Sequence, residues 1–479
     1  MSTDPTMPAQ ALFTDLYELT MLRAYAEHGM TERAVFSLFV RKLPRGRNYL
    51  LACGLETIVD ALETLRFSDD DIAYLASLER FPETFLRQLS AFRFTGDIHA
   101  MPEGTPVFPN EPILEIIAPI GEAQVVETIV LNQIGLQTIL ASKAARIVHA
   151  AQGRAVVDFG GRRAQGIDAA VKGARAFFIA GVSATSNLHA GRLYDLPVAG
   201  TVAHSFIEAC VSESDAFKAF AATYPDTTLL VDTYDTLEGV RKVAALAGEL
   251  GPACRLRGVR LDSGDLAALA KEARAILDAA GLGRLQILAS GGLDEYEIDR
   301  LVRAGAPIDA FGIGTEMSVS GDAPALDIAY KLTEYAGVGR MKLSPGKRTL
   351  PGRKQVFRTF RDGVATGDVI GNHEESLPGV PLLQPVLRHG RRLGQTPPLR
   401  HIRAYAADAI ASLPRPMVSL QPLETAYEVL VSPRLTAEEK SVRARIAGEA
   451  ASSGNAASPP TKGVDADQCR TARGGYSWS

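Results

Sequence analysis

The chain has 479 residues, of which 46% are apolar, 22% charged and 7% aromatic, with a formal net charge of −4. That is the composition of a globular protein able to bury a large core, with roughly two to four domains by length alone. The balance excludes a global basic field for nucleic acid, and no apolar run reaches the ~20 residues that cross a bilayer.

Four scattered cysteines (Cys53, Cys210, Cys254 and Cys469) form no CxxC pair, which argues against a zinc site or a disulfide framework. The start MSTDPTMPAQ lacks the charged-then-apolar pattern of a signal peptide. A cytoplasmic protein with neither a membrane nor a nucleic-acid partner is expected.

Residues 1–9 read as a loose tail. A helical pattern starts near Leu12 and runs through Leu19, Met21 and Leu22, with Thr14 as a candidate cap, and helical stretches follow to about Phe92. Residues 96–117 break into short apolar runs punctuated by Pro and Gly, the mark of a small β element. A long helix is expected over 122–151. Then a rhythm sets in. Short β-branched runs end in polar or Gly-rich turns and are followed by helical stretches: AVVDF (155–159), AFFIAG (176–181), LPVAGT (196–201), TLLVD (228–232), GVRLD (258–262), QILAS (286–290) and IDAFGIG (308–314). Spacings of roughly 20 to 30 residues fit βα units, and a series of these predicts a closed barrel of parallel strands. After Tyr330 the rhythm stops. Residues 331–372 alternate like strands around turns at SPGK and PGRK, and the region 400–433 is expected to pack on the same unit. The expected division is a mixed α+β domain from 10–130 and 331–438, an α/β barrel at 131–330, and a polar, mostly disordered tail at 439–479 containing Trp478, the only tryptophan.

In a βα barrel the chemistry lies at the C-terminal ends of the strands. Those ends carry Asp158, Arg162 and Arg163; Ser183 and Ser186; His204; Asp232 and Asp235; Arg260, Asp262 and Asp265; Ser290; and Thr315 with Glu316. Asp and Ser also make ordinary turns, whereas Arg and His do not. The turns SGG (Ser290, Gly291, Gly292) and GIGT (Gly312, Gly314, Thr315) let backbone N–H groups approach an anion, although tight βα turns need glycine too. Asp262 and Asp265 flank a Gly turn; they suit ribose hydroxyls or a hydrated Mg²⁺, and a helix N-cap is the alternative. Arg162 and Arg163 in GGRRAQG suit a carboxylate or phosphate. His204 starts a helical stretch, with Glu208 one turn on as a candidate partner for its ring.

TDLYELTM (14–21), DFGGRRAQG (158–166), SATSN (183–187), GTVAHSF (200–206), VDTYDT (231–236), VRLDSGDL (259–266), ASGGLDE (289–295), FGIGTE (311–316) and MKLSPGKRTLPGRKQVFR (341–358) together resemble the nicotinate phosphoribosyltransferase family, over about residues 10 to 430. The resemblance implies an irregular parallel α/β barrel, the type II phosphoribosyltransferase fold, beside a mixed domain built from both chain ends. It implies a homodimer with shared sites, nicotinate, phosphoribosyl pyrophosphate (PRPP) and ATP as substrates, and Mg²⁺. Phe159, and Tyr17 from a neighbouring subunit, would stack on the pyridine ring. Arg260, Arg162 and Arg163 would meet the anions. Asp262, Ser290 and the glycines would hold ribose and its 5-phosphate, and His204 would be phosphorylated by ATP. Ser183 stands where amide-using relatives carry an aspartate, which favours the acid nicotinate. Nicotinamide or quinolinate is the alternative substrate.

Overall fold

The computed structural model describes residues 11–344 and 348–454. The expected tail at 1–9, most of that at 439–479, including Cys469 and Trp478, and most of the SPGK turn lie outside the described residues; residues 439–454 of the expected disordered tail are instead helical, within Pro433–Gly454.

Two sheets organise the chain. The first is antiparallel and seven-stranded, in the order Val338–Gly339, Ile328–Tyr335, Arg33–Val40, Pro112–Pro119, Asp97–Ala100, Gln384–Arg388, Arg391–Arg392. Both halves of the sequence supply it. Its inner strand Arg33–Val40 pairs with Pro112–Pro119 on one side and Ile328–Tyr335 on the other, and seven of its eight residues are buried. A strand stands here where the sequence pattern predicts helix through to about Phe92. Every residue from Ala34 to Val40 is buried, on both faces and with Ser37 as the one polar member, so the run shows no alternation to separate it from a buried helix.

The second sheet is parallel and six-stranded, in the order Ala184–Thr185, Ala155–Asp158, Ala310–Ile313, Gln286–Ser290, Gly258–Leu261, Thr228–Leu230. Its two edge strands do not pair, so it is an open half-barrel and not the closed barrel expected. Five of the seven anticipated runs are strands in it. AFFIAG instead ends the helix Ile167–Ile179, whose Phe177 and Ile179 are buried; Gly181, at φ +112°, turns the chain out of it. The run was short, apolar and closed by glycine, a pattern that a buried helix end and a strand share. LPVAGT contributes only one bridge, Val198 to Thr185.

The long helix Glu127–Ala150 passes between the two units and is buried along most of its length, as a helix packed on several sides must be. It starts after a separate short helix, Ile120–Val125, and runs through the boundary expected at 130/131. A smaller sheet pairs Lys354–Arg361 with Val364–Asn372, and Val429–Val431 joins it in parallel. The helix Leu399–Ala411 packs against Ile167–Ile179 of the half-barrel, where Arg403 caps the carbonyls of Phe178, Gly181 and Val182. No described helix is long and apolar enough to cross a membrane.

Candidate functional site

The C-terminal ends of three adjacent parallel strands carry one hydrogen-bonded group. Arg260 Nη2 donates to Asp262 Oδ1 at 2.7 Å, Arg260 Nε to Ser290 Oγ at 2.8 Å, and Ser290 Oγ to the same Asp262 oxygen at 2.5 Å. Arg260 Nη1 reaches Thr201 Oγ1 at 2.8 Å. Parallel register sets this up, since Leu288 lies beside Arg260 and Ser290 beside Gly312. Burial pushes the Asp262 carboxyl up, but Ser290, Arg260 and His204 outweigh it and hold the group below the usual carboxylate range. Its second oxygen, Oδ2, faces His204 Nε2 at 3.8 Å, too far for a hydrogen bond.

His204 is the first residue of the short helix His204–Ala209. Its Nδ1 lies 3.1 Å from Thr233 Oγ1, so Thr233 and not Glu208 orients the ring. Thr233 follows Asp232, whose Oδ2 accepts from the Asp262 N–H at 2.9 Å and from Ser263 Oγ at 2.7 Å. Asp232 Oδ1 is buried with no protein partner among the described residues. Asp265 does not join the cluster. Its Oδ1 caps the helix Leu266–Ala279 through the N–H groups of Ala267 and Ala268, so of the two carboxylates expected to hold Mg²⁺ only Asp262 faces the site. Asp235 is likewise a cap, for Thr236–Leu250.

Phe159 follows the strand Ala155–Asp158, and its N–H bonds to Ile313 O at 2.8 Å. Its ring lies against Gly312, where a Cβ would come within 2.5 Å of it, and Arg260 stacks on it at 5.4 Å from the centroid. Glycine at 312 is thus required by the aromatic ring. Asp158 is spent on local structure, accepting from the Gly160 N–H and Thr185 Oγ1. Arg162 and Arg163 lie on a single 3-10 turn, exposed and without a side-chain partner among the described residues. Ser183 is half-buried, its N–H tied to Val156 O.

The glycine turns close the rim. Gly291 has φ +90°, and a Cβ there would sit 1.9 Å from Asp262 O, so only glycine lets this loop approach the neighbouring one. Gly292 and Gly314 face open space, and Thr315 is exposed at the start of the helix Thr315–Val319. Tyr17 stands apart. It is 45% exposed on the helix Leu16–Glu27, and its charged neighbours are Glu127 and Glu18; burial and those acids raise its phenol above the ordinary value. Asp15, not Thr14, precedes that helix as its cap residue. A cavity of roughly 400 Å³ between Leu55, Pro102, Ile402 and Tyr405 is lined by none of the rim residues.

The strand ends thus present a fixed cation, a carboxylate with a free oxygen, an imidazole, two free arginines, a ring face and open glycine turns. Such a rim suits an anionic sugar and a flat, negatively charged partner. Thr201, Thr233 and the role of Asp232 are not evident in the sequence, because hydroxyls and carboxylates in turns carry no signal until a partner is in view.

Comparison with known proteins agrees. The family model described as the nicotinate phosphoribosyltransferase (NAPRTase) N-terminal domain matches residues 12–135, and that of the nicotinate phosphoribosyltransferase (NAPRTase) family matches residues 154–363. Nicotinate phosphoribosyltransferase pncB2 of Mycobacterium tuberculosis is 56% identical over 429 residues, covering 89% of this chain and 93% of that protein. Nicotinate phosphoribosyltransferase of Bacillus subtilis is 43% identical over 377 residues, 77% of each chain. The crystal structure of human nicotinic acid phosphoribosyltransferase superposes with a TM-score of 0.80 at 30% identity, covering 90% of this chain and 99% of that one. On these matches, the chain belongs to the nicotinate phosphoribosyltransferase family.

Proposed function

We propose that the chain joins nicotinate to PRPP, forming nicotinate mononucleotide and pyrophosphate for NAD synthesis, with ATP hydrolysis coupled through phosphorylated His204. The observation that carries this reading is the single rim on which Arg260, Asp262, Ser290 and His204 meet beside the Phe159 ring.

Nicotinate would lie on the ring of Phe159, its carboxylate met by Arg162 or Arg163. Ser183 adds no negative charge, whereas an aspartate there would repel an acid. The glycine turns at 290–292 and 312–315 would take the 5-phosphate through backbone N–H groups. Asp262, aligned by Arg260 and Ser290, would hold the ribose. Breaking the C1–O bond puts positive charge on the ribosyl ring and negative charge on pyrophosphate, and the pyridine nitrogen then bonds to C1. Holding ring and sugar in line lowers the entropic part of the barrier, and the arginines stabilise the departing charge. The spare oxygens of Asp262 and Asp232 fit a Mg²⁺ that keeps several waters. That ion would neutralise pyrophosphate charge. The Nε2 of His204, free of hydrogen bonds, would take the γ-phosphoryl group of ATP and release ADP.

The same reading takes the half-barrel and the mixed unit as the two domains of a type II phosphoribosyltransferase fold in a cytoplasmic homodimer. Two exposed apolar patches support a dimer: Phe13, just before the first helix, with Leu16 and Tyr17 on it, and Ile167, Leu188 and Val198 beside the rim. Tyr17 of one subunit would complete the ring pocket of the other.

The test is a product assay with nicotinate, nicotinamide and quinolinate, each with PRPP and with or without ATP. Nicotinate mononucleotide, stimulated by ATP, is expected; His204→Ala should abolish the stimulation and leave a slow, reversible transfer. Product from nicotinamide or quinolinate alone would overturn the substrate assignment, and undiminished ATP coupling in His204→Ala would overturn the role of the histidine.

A further inference from the structure

Behind the two glycine turns lies a buried charge cluster that the proposed chemistry does not use. Lys143 on the long helix places Nζ 2.5 Å from Glu295 and 2.8 Å from Asp322. Arg47 holds Asp322 at 2.6 and 3.0 Å with two nitrogens and approaches Glu295 at 3.6 Å. Arg146 donates to Glu295 at 2.9 Å. The side chains of Arg47, Lys143, Arg146 and Glu295 are at most 5% exposed, while Asp322 is at the edge with 31%.

The two acids sit at telling positions. Glu295 opens the helix that follows Ser290–Gly291–Gly292. Asp322 follows the left-handed residue Ser320 that ends the helix Thr315–Val319, the helix that GIGT opens. That helix also packs on the loop after Phe159, since a Cβ at Gly160 would overlap Ser318 Oγ. One ammonium group therefore pairs with acids just downstream of both turns, by a hydrogen bond to Asp322 and by charge to Glu295. The cluster has three cations and two acids, so it keeps one positive charge in excess.

We propose that Lys143 is a positioning residue that fixes the spacing of the two glycine turns and so sets affinity for the 5-phosphate of PRPP. Lys143 touches no substrate; it acts through Glu295 and Asp322. An ammonium held by two acids on separate loops leaves those loops little freedom to move relative to each other, which is how buried support keeps anion-binding groups at productive geometry. The excess charge behind the loops also favours an arriving phosphate. This inference rests on the phosphate role assigned to the two turns.

The experiment is titration calorimetry with ribose 5-phosphate, joined to steady-state kinetics, on the full-length wild type, Lys143→Met, Asp322→Asn and the double variant. Asp322 lies at the edge of the cluster, so its variant carries the test if Lys143→Met does not fold. The expected result is binding of ribose 5-phosphate weakened by about tenfold or more in either single variant, with KM for PRPP rising in step. The nicotinate KM and saturated kcat should stay within about threefold of wild type, because the ring pocket and the Arg260–Asp262 pair remain in place. The double variant should lose little beyond the worse single, since both changes cut the same tie. A merely structural role would lower the melting temperature and leave PRPP affinity unchanged, and that pattern would overturn the inference. If the wild type itself fails to bind ribose 5-phosphate, the phosphate assignment of the turns falls first.

Discussion

Arg260–Asp262 at the strand ends and Arg175–Glu103 in the interior are the same chemical pair in two settings. Arg175 meets both oxygens of Glu103, at 2.8 and 2.5 Å, and the Gly54 N–H takes up more of the carboxylate; both side chains are at most 6% exposed. The guanidinium and that amide hold the Glu103 carboxyl below the ordinary range despite its burial. Asp262 has one oxygen engaged by Arg260 and Ser290 and the other facing His204 without a hydrogen bond. The interior pair has used its bonding capacity on the fold. The rim pair has kept part of it for a ligand, and that spare capacity, more than the presence of charge, marks the working site.

The sharpest way to break this comparison is to neutralise each acid or its partner in turn. Asp262→Asn keeps shape and removes charge where the sugar binds. It is expected to lower kcat/KM by on the order of 10³-fold, with a melting temperature close to wild type, measured by pyrophosphate release and thermal unfolding. Arg175→Met should do the reverse. It leaves the Glu103 carboxylate buried without its cation, a loss of about 3–5 kcal/mol in denaturant unfolding, while the molecules that remain folded turn over normally. Equal effects of the two variants on activity per folded molecule would erase the distinction.

A smaller effect tests whether the rim is complete within one chain. Tyr17→Ala and His204→Ala subunits should each be impaired alone. Mixed after dissociation, they should recover about a quarter of the wild-type ATP-coupled rate, because half the dimers then contain one intact site of two. No recovery in mixed dimers would place Tyr17 outside the partner's site.

The smallest expected effect concerns an acid that has no cation at all. Glu18 is fully buried, and that burial pushes its carboxyl up to about 7, against hydrogen bonds from Thr128 and Thr14. The folded state therefore binds more protons than the unfolded chain between the ordinary value near 4.5 and about 7. Its contribution to stability is full below that window and is lost as pH rises through it. Glu18→Gln should flatten the decline in melting temperature between pH 5 and 8. An unchanged slope would mean that the carboxylate is better solvated than its surroundings indicate.

Much of this was readable in the sequence, for reasons that specific residues make plain. GVRLD, QILAS and IDAFGIG gave away their strands because β-branched runs ended in polar turns, and the same turns delivered Arg260, Asp262, Ser290 and the glycines to one rim. RAVFSLFV and AFFIAG were misread because complete burial removes the alternation that separates strand from helix. The open edge of the half-barrel depends on strands that never meet, which no local pattern encodes. Thr233 beside His204 and Lys143 beneath both turns are contacts across 29 and 179 residues of chain, counting from His204 and to Asp322. Asp265 takes the second of its two expected roles, capping Leu266–Ala279, because an acid after a Gly turn is as useful to a helix end as to a ligand.

The most direct test is a crystal structure with nicotinate mononucleotide bound. The account predicts the pyridine ring against Phe159, its carboxylate at Arg162 or Arg163, the ribose hydroxyls within hydrogen-bond reach of Asp262, and the phosphate at the turns of Gly291–Gly292 and Gly314. A nucleotide found instead in the cavity beside Tyr405, or with its phosphate away from both turns, would contradict it.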